Sequence, residues 1–187
     1  RMFLIAHPEE VDRLDIPDPS KVAYLTQTTL SVDDTRDCIE ALRRRGHGTL
    51  CFHGAPGTGK TALAEHIASE LQRPLLIRQA SDLVSKFVGE TEQNMAKMFE
   101  EAQSENAVLL LDEADSFLRS RQRAERSYEV TEVNEMLQGM ERFGGLFICT
   151  TNLFDELDEA ALRRFTFKVK FRPLRAEQRE AMFVVEA

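Results

Sequence analysis

The residues from Gly54 to Thr61 have types and spacing suited to binding a phosphate group. They fit the pattern GxxxxGK[ST] at every position. Glycines allow the backbone to fold tightly and to aim several N–H groups at one anion, and a helix that follows adds positive partial charge at its N-terminus. The residues predicted to bind the phosphates are Gly54, Pro56, Gly57, Thr58, Gly59, Lys60 and Thr61.

Two pairs of side chains in this sequence could bind the phosphates and metal ion of a nucleotide and activate a water for its hydrolysis. The Lys60 ammonium can lie between the β- and γ-phosphates, and the Thr61 hydroxyl can be a ligand of Mg²⁺. Further along the chain, the apolar run Val108–Leu111 is followed directly by Asp112 and Glu113. An acid at the carboxyl end of a parallel strand lies beside such a loop. We therefore predict that Asp112 helps to hold Mg²⁺ and that Glu113 is the general base for an attacking water.

The apolar patterning predicts an α/β fold that would position these residues. Short continuous apolar runs are typical of parallel strands buried on both faces. Helical patterns lie between them, over Val32–Arg45, Ala62–Leu71 and Thr91–Gln103. Alternating strands and helices predict a three-layer fold, with a parallel sheet covered by helices on both sides. The predicted strands are Leu4–Ile5, Val22–Thr26, Thr49–Phe52, Leu75–Ile77, Val108–Leu111, Leu146–Cys149 and Phe167–Phe171.

The composition of the 187-residue chain narrows the classes of partner. There are 24 Lys and Arg against 32 Asp and Glu, which gives a formal net charge of −8 and argues against broad nucleic-acid binding. Residues 112–115 spell the Asp-Glu-Ala-Asp box of an RNA helicase family, but we find no other helicase motif and interpret the match as a coincidence. No apolar run approaches the roughly 18–20 residues that span a bilayer, so no membrane partner is expected. Three cysteines without a CxxC pair predict a reducing, cytoplasmic location.

These motifs, together with four further segments, resemble the AAA+ ATPase family from about Gly46 onward. The sequence Thr-Thr-Asn ending at Asn152 resembles the first sensor of the family, which would help to position the lytic water. The segment Leu157–Phe165 resembles the second region of homology, which implies that Arg163 and Arg164 are arginine fingers reaching a neighbouring subunit. The resemblance therefore implies ATP or ADP and Mg²⁺ as ligands, and a ring of identical subunits in the parent protein.

The remaining two segments resemble loops that grip polypeptide in the pore of such rings. The first loop contains Lys86, Phe87, Val88 and Gly89, and the arginine-rich stretch Arg119–Tyr128 lies where a second pore loop is expected. Each segment also has a simpler interpretation. Asn152 could cap a turn, Phe87 could be a core aromatic residue, and the arginines could be solvated surface charge. The family's helical lid follows its last core strand, and we expect it to be truncated here.

Residues 1–45 resemble a different family. The segments Pro8–Leu14, Pro17–Lys21 and Val22–Thr35 are similar to hydroxymethylbutenyl diphosphate reductase, an iron–sulfur enzyme of isoprenoid synthesis. The resemblance implies that Thr28 corresponds to a substrate-contacting threonine. The three cluster-binding cysteines of that family have no counterparts here, so we expect no iron–sulfur cluster and no reductive activity.

The two resemblances together predict a chimera, which we favour as engineered over a natural protein with an unusual N-terminus. A reductase-like βαβα fragment (1–45) would be joined to an AAA+ core (46–187) in one merged domain, with its strands added beside Phe167–Phe171. Two functions then compete. One is an ATP-binding and potentially ATP-hydrolysing module from an oligomeric protein-remodelling ATPase, and the other is a monomeric structural chimera with a relic phosphate loop and no turnover.

Overall fold

The computed structural model of the chain describes residues 24–26, 32–87, 89–119 and 127–173. Within these residues lie six strands: β1 (Tyr24–Thr26), β2 (Gly48–Gly54), β3 (Leu75–Gln79), β4 (Val108–Asp112), β5 (Leu146–Thr151) and β6 (Phe167–Phe171). The helices are α1 (Val32–Arg45), α2 (Lys60–Glu70), α3 (Ala80–Leu83), α4 (Glu90–Ser104), α5 (Asp115–Leu118), α6 (Ser127–Arg142) and α7 (Glu159–Arg164), with a 3₁₀ helix at Phe154–Glu156.

The six strands form one sheet in the order β1-β6-β2-β5-β4-β3, and every pair is parallel. The inner strands β4 and β5 are buried along nearly their whole length, as their continuous apolar runs predict. Parallel neighbours require crossover connections, and the helices supply them. The predicted α/β class with a parallel sheet is confirmed.

Two apolar cores lie on opposite faces of this sheet. Leu109 and Leu111 of β4 belong to one core, whereas Val108 and Leu110 belong to the other, because successive side chains of a strand alternate in direction. Burial of each such side chain contributes about 1.5–3 kcal/mol. Helices α4 and α6 cover the first face, and α1 and α2 cover the second, which confirms the three-layer arrangement. The predicted apolar face of α4 is buried in the first core through Met95, Met98, Phe99 and Ala102.

Strand β1 extends the sheet beyond β6, with Tyr24 opposite Phe167 and Thr26 opposite Val169. The predicted position of the added strand, beside Phe167–Phe171, is therefore confirmed for the three residues of β1. The predicted strand Leu4–Ile5 and the residue Thr28 lie outside the described residues, as do residues 174–187.

The described helices include none that is long and apolar enough to cross a membrane. The three cysteines are free. Cys51 and Cys149 are buried opposite each other on β2 and β5, and burial raises the pKa of Cys149 well above its ordinary value, with a further contribution from Cys51. Burial also raises the pKa of the half-buried Cys38 to about 11. The thiols of Cys38 and Cys149 are therefore protonated near neutral pH.

Candidate functional site

The predicted phosphate loop lies between the end of β2 and the start of α2, at the carboxyl edge of the sheet. Three of its glycines, Gly54, Gly57 and Gly59, have positive φ angles of 140°, 69° and 89°, which side chains rarely tolerate. At Gly54 there is also no room, because a Cβ atom would lie 2.2 Å from the carbonyl oxygen of Phe171 on β6. Backbone conformation therefore favours glycine at all three positions, and packing requires it at Gly54 as well.

The Lys60 ammonium connects this loop to the residue that follows β5. Its Nζ donates to the carbonyl oxygens of Gly54 at 2.8 Å and Ala55 at 3.0 Å, and to Oδ1 of Asn152 at 2.9 Å. Partial burial lowers the pKa of Lys60, and the nearby carboxylates of Asp112 and Asp115 oppose that change. The ammonium is thus held among oxygen acceptors that a phosphate group could replace.

The two predicted acids lie next to each other where β4 ends, but in different surroundings. Asp112 is half-buried and accepts a hydrogen bond from Oγ1 of Thr150. Glu113 is exposed, and its backbone N–H donates to the same Thr150 oxygen at 3.1 Å. The φ of Glu113 is +56°, a left-handed conformation that costs about 1–2 kcal/mol for a residue with a Cβ. Residues at such angles concentrate at functional sites.

Thr150, Thr151 and Asn152 each contact a different part of the site. Thr150 holds Asp112 and the backbone of Glu113, and Asn152 accepts from Lys60. Thr151 donates to Oδ1 of Asp115, whose carboxylate also accepts from the backbone N–H of residue 153 at 3.4 Å. Of these three residues, only Asn152 is predicted as a site residue from the sequence, and Asp115 is not predicted at all. Asp115 is the last residue of the Asp-Glu-Ala-Asp box. That match could have indicated Asp115 as a site residue, but we interpreted the match as a coincidence.

The donor set of the site fits a magnesium ion. Asp112 and Thr61 carry side-chain oxygens that could serve as ligands, because Mg²⁺ in nucleotide sites is held by one or two such groups together with phosphates and water. In the part of the chain that the structure describes, no group of three or more His, Cys, Asp or Glu side chains could hold a metal by itself.

Arg163 and Arg164, predicted as a pair of fingers, lie in different environments at the end of α7. The Arg163 side chain is 80% exposed and pairs with Glu159, one turn earlier, at 3.2 Å. The Arg164 side chain is 28% exposed, donates to the carbonyl oxygen of Ala160 at 2.8 Å and pairs with Glu141 of α6 at 2.5 Å. Arg164 thus joins two helices of its own chain, whereas Arg163 extends into solvent.

This difference predicts unequal effects on stability. Replacing Arg164 with Ala should lower the free energy of unfolding by about 1 kcal/mol, because a hydrogen bond and a partly buried ion pair are lost. The same substitution at Arg163 should change it by less than about 0.5 kcal/mol, as expected for an exposed residue. Urea denaturation of both variants measures the effects. Equal changes would contradict the different environments of the two arginines.

The predicted pore-loop residues lie between α3 and α4. Phe87 is 71% exposed, so the alternative that it is a core aromatic residue is wrong. Lys86 is exposed, and Gly89 precedes α4 with a φ of +85°. The loop is held by short-range hydrogen bonds, including one from the backbone N–H of Phe87 to Oγ of Ser85 at 3.2 Å. Val88 and residues 120–126 of the arginine-rich stretch lie outside the described residues.

His53, the residue before the phosphate loop, was not among the predicted site residues. Its ring is 7% exposed and stacks on Phe154, with ring centroids 3.8 Å apart and planes inclined by 18°. Burial, with help from Lys170 and Lys60 and opposed by Asp155, lowers the pKa of His53 to about 4. His53 is therefore neutral near neutral pH.

The lowered pKa of His53 predicts that the free energy of unfolding decreases as the pH falls. The unfolded chain protonates this residue near pH 6.5 and the folded chain only near pH 4, so its contribution is complete above pH 6.5 and is lost as pH falls between these values. The difference corresponds to about 3 kcal/mol. Urea unfolding at about pH 7 and about pH 4.5 should show a weaker dependence for His53→Phe than for the wild type. The variant His66→Phe, at an exposed position of α2, is the control and should match the wild type.

The fold and the loop together define a P-loop nucleotide-binding protein of the α/β class. A profile of the family described as "ATPase family associated with various cellular activities (AAA)" matches residues 50–173. This match covers well over half of the chain. The chain therefore belongs to the AAA ATPase family, and it carries the ATP-binding module of that family.

Several known proteins are similar in sequence to this chain, and one of them is described as an AAA family ATPase. Protein ORF529 of Acidianus two-tailed virus is 32% identical over an alignment of 158 residues, and the match covers 75% of this chain and 30% of that protein. The AAA family ATPase y4kL of Sinorhizobium fredii is 39% identical over 119 residues, or 62% of this chain and 36% of the relative. Spastin of Drosophila melanogaster is 36% identical over 141 residues, or 71% of this chain and 18% of spastin. The matches thus cover little more than a third of these relatives at most.

Proposed function

We propose that this chain binds Mg-ATP at the phosphate loop and hydrolyses it to ADP and phosphate. The observation that supports this most strongly is the contact of Lys60 with Asn152, at 2.9 Å. It joins the loop to the segment that also holds Asp112 and the backbone of Glu113, through Thr150. A phosphate-binding cation, a metal-binding acid and a candidate base thus lie around one point, which is what phosphoryl transfer to water requires.

Each residue then has a defined role in the proposed reaction. The loop amides and Lys60 bind the β- and γ-phosphates, and the ammonium exchanges its carbonyl acceptors for phosphate oxygens. Glu113 accepts a proton from the attacking water, and Asn152 orients that water toward the γ-phosphorus. Thr61 and Asp112 would hold Mg²⁺, which neutralises charge on the phosphates. Thr150 keeps Asp112 and Glu113 in register with Asn152.

A thermal-shift measurement tests nucleotide binding directly. A nucleotide at about 100 times its dissociation constant should stabilise the folded chain by about 2.7 kcal/mol, because it binds the folded state alone. The Lys60→Ala variant should lose most of this shift with ADP or ATP and Mg²⁺. Lys97→Ala, at an exposed position on α4, is the matched control and should keep it. Absence of a shift in the wild type at millimolar nucleotide would contradict the proposal.

We further propose that the parent protein acts as a ring in which Arg163 reaches the γ-phosphate of the adjacent subunit. The support is the 80% exposure of the Arg163 side chain, in contrast to the internal contacts of Arg164. The exposed Phe87 beside Lys86 would then grip a polypeptide substrate, as the resemblance to remodelling ATPases implies. Size-exclusion chromatography with and without ATP tests assembly, because a nucleotide-dependent oligomer is expected.

We also propose that the chain is a chimera of a reductase-like segment and an AAA+ core, and that it is located in the cytoplasm. Support for one merged domain comes from the pairing of β1 with β6, which adds part of the reductase-like segment to the sheet. The free cysteines agree with a reducing compartment. If the phosphate loop is only a relic in an engineered chimera, the chain should remain a monomer under all conditions and show no turnover.

A further inference from the structure

Among the described residues, two side-chain contacts join the phosphate loop and the residue before it to the segment after β5, and they differ in chemistry. The first is the hydrogen bond from Lys60 to Asn152, at 2.9 Å. The second is the stack of His53 on Phe154, at 3.8 Å between ring centroids. His53 directly precedes the loop, and Phe154 follows Asn152 by two residues. Both connections therefore act on the same two short segments.

Nucleotide binding affects the two connections differently. Phosphate oxygens are strong acceptors for an ammonium group, so a bound nucleotide competes with Asn152 for Lys60. The stack of His53 on Phe154 involves ring faces and no hydrogen bond that a phosphate could replace. Together with the pairing of His53 and Thr151 in the β2–β5 ladder, the stack can hold the segment after β5 against the loop while nucleotide is bound.

The surroundings of His53 suit a packing role rather than proton transfer. Its ring is 7% exposed, and its Nε2 atom has no hydrogen-bond partner among the described residues. The charged groups that face it are Lys170 of β6, Lys60 of α2 and Asp155 of the 3₁₀ helix. The two lysines and burial favour the neutral ring, which stacks on Phe154 without carrying a charge into the core.

We propose that His53 and Phe154 are a positioning pair that keeps Asn152 oriented toward the attacking water when the nucleotide has taken over Lys60. The pair acts through Asn152 and does not touch the reacting atoms. This inference rests on the proposed ATP hydrolysis. It predicts that losing the stack lowers kcat and leaves nucleotide binding nearly unchanged, because the pair contacts neither the loop amides nor the phosphates.

Steady-state ATPase assays of truncated and conservative variants test the pair. His53→Ala and Phe154→Ala should each lower kcat by about 10- to 100-fold, as small misplacements of orienting groups do. KM and the dissociation constant for ADP should change by less than about threefold. His53→Phe and Phe154→Tyr retain two stacked rings and should restore kcat to within about threefold of the wild type. Leu153→Ala removes an adjacent side chain that is 40% exposed and is the matched control.

The double variant His53→Ala/Phe154→Ala distinguishes a shared positioning role from two independent effects on the structure of the site. If the two residues act as one unit, the double variant should be no slower than the slower single variant. Additive losses would overturn the proposal, as would losses equal to that of Leu153→Ala, or conservative variants as slow as the alanine variants. All assays are run well below the melting temperature of each variant, so that unfolding does not lower the active fraction.

An NMR measurement that needs no ATP hydrolysis tests the positioning role independently of the proposed function. The side-chain amide resonances of Asn152, followed by NMR with ADP and Mg²⁺ present, should be sharp in the wild type and shifted or broadened in His53→Ala. Unchanged resonances would overturn the positioning role even if the chain hydrolyses ATP. If the wild type shows no hydrolysis that depends on Glu113, the proposed function fails. Comparing the Asn152 resonances of Lys60→Ala with those of Lys60→Ala/His53→Ala still decides whether the pair orients this side chain once Lys60 no longer holds it.

Discussion

Replacing Glu113 with Gln is expected to lower kcat for ATP hydrolysis by about 10²- to 10⁴-fold, the usual contribution of a positioned general base. The amide has the shape of the carboxyl group but cannot accept the proton of the attacking water. Glu113 is exposed and is attached to the site through its backbone N–H, which the substitution retains. The dissociation constants for ADP and ATP should therefore change by less than about twofold.

The matched control for this prediction is Glu105→Gln, at an exposed carboxylate that follows α4. It makes the same chemical change away from the phosphate loop and should leave kcat unchanged. Phosphate release under single-turnover conditions, with ADP affinity measured in parallel, separates chemistry from binding. If Glu113→Gln hydrolyses ATP at the wild-type rate, either another group is the base or the measured activity belongs to a contaminant.

Gly54→Ala is expected to lower the free energy of unfolding by about 3 kcal/mol, a large effect for one added methyl group. The new Cβ would lie 2.2 Å from the Phe171 carbonyl oxygen and 3.0 Å from its carbonyl carbon. These are backbone atoms of β6, which cannot rotate away, so β2 and β6 must separate where they pair. The φ of +140° adds conformational strain.

Gly57→Ala is the control, because it has a positive φ of +69° and no atom within 4 Å of the added Cβ. It should cost only the strain of a left-handed residue, about 1–2 kcal/mol. Urea denaturation without nucleotide compares the two variants independently of binding. Equal losses for Gly54→Ala and Gly57→Ala would mean that the close approach of β6 does not restrict residue 54.

Local patterns were enough to predict the main elements of this protein. Helix α1 has the predicted bounds, Val32–Arg45, and α4 buries the predicted face that contains Met95 and Phe99. The loop at Gly54–Thr61 lies between a strand and a helix, as its motif requires. These features could be predicted because the period of apolar residues and the glycine pattern are properties of neighbouring residues.

The partners of the site residues could not be predicted in this way. Contact between Lys60 and Asn152, and the roles of Thr150 and Thr151, depend on β5 lying between β2 and β4, although it follows both in the chain. Arg163 and Arg164 are adjacent and chemically identical, so the sequence does not distinguish their roles. The packing of α7 against α6 gives Arg164 the partner Glu141.

The sequence by itself determined the class of fold, the phosphate loop and the acids at the end of β4, because each is encoded within a few consecutive residues. The tertiary structure alone decided which side chains meet around the loop, including the stack of His53 on Phe154. That stack joins residues about a hundred positions apart, and such contacts follow from strand order and crossover connections rather than from local residue patterns.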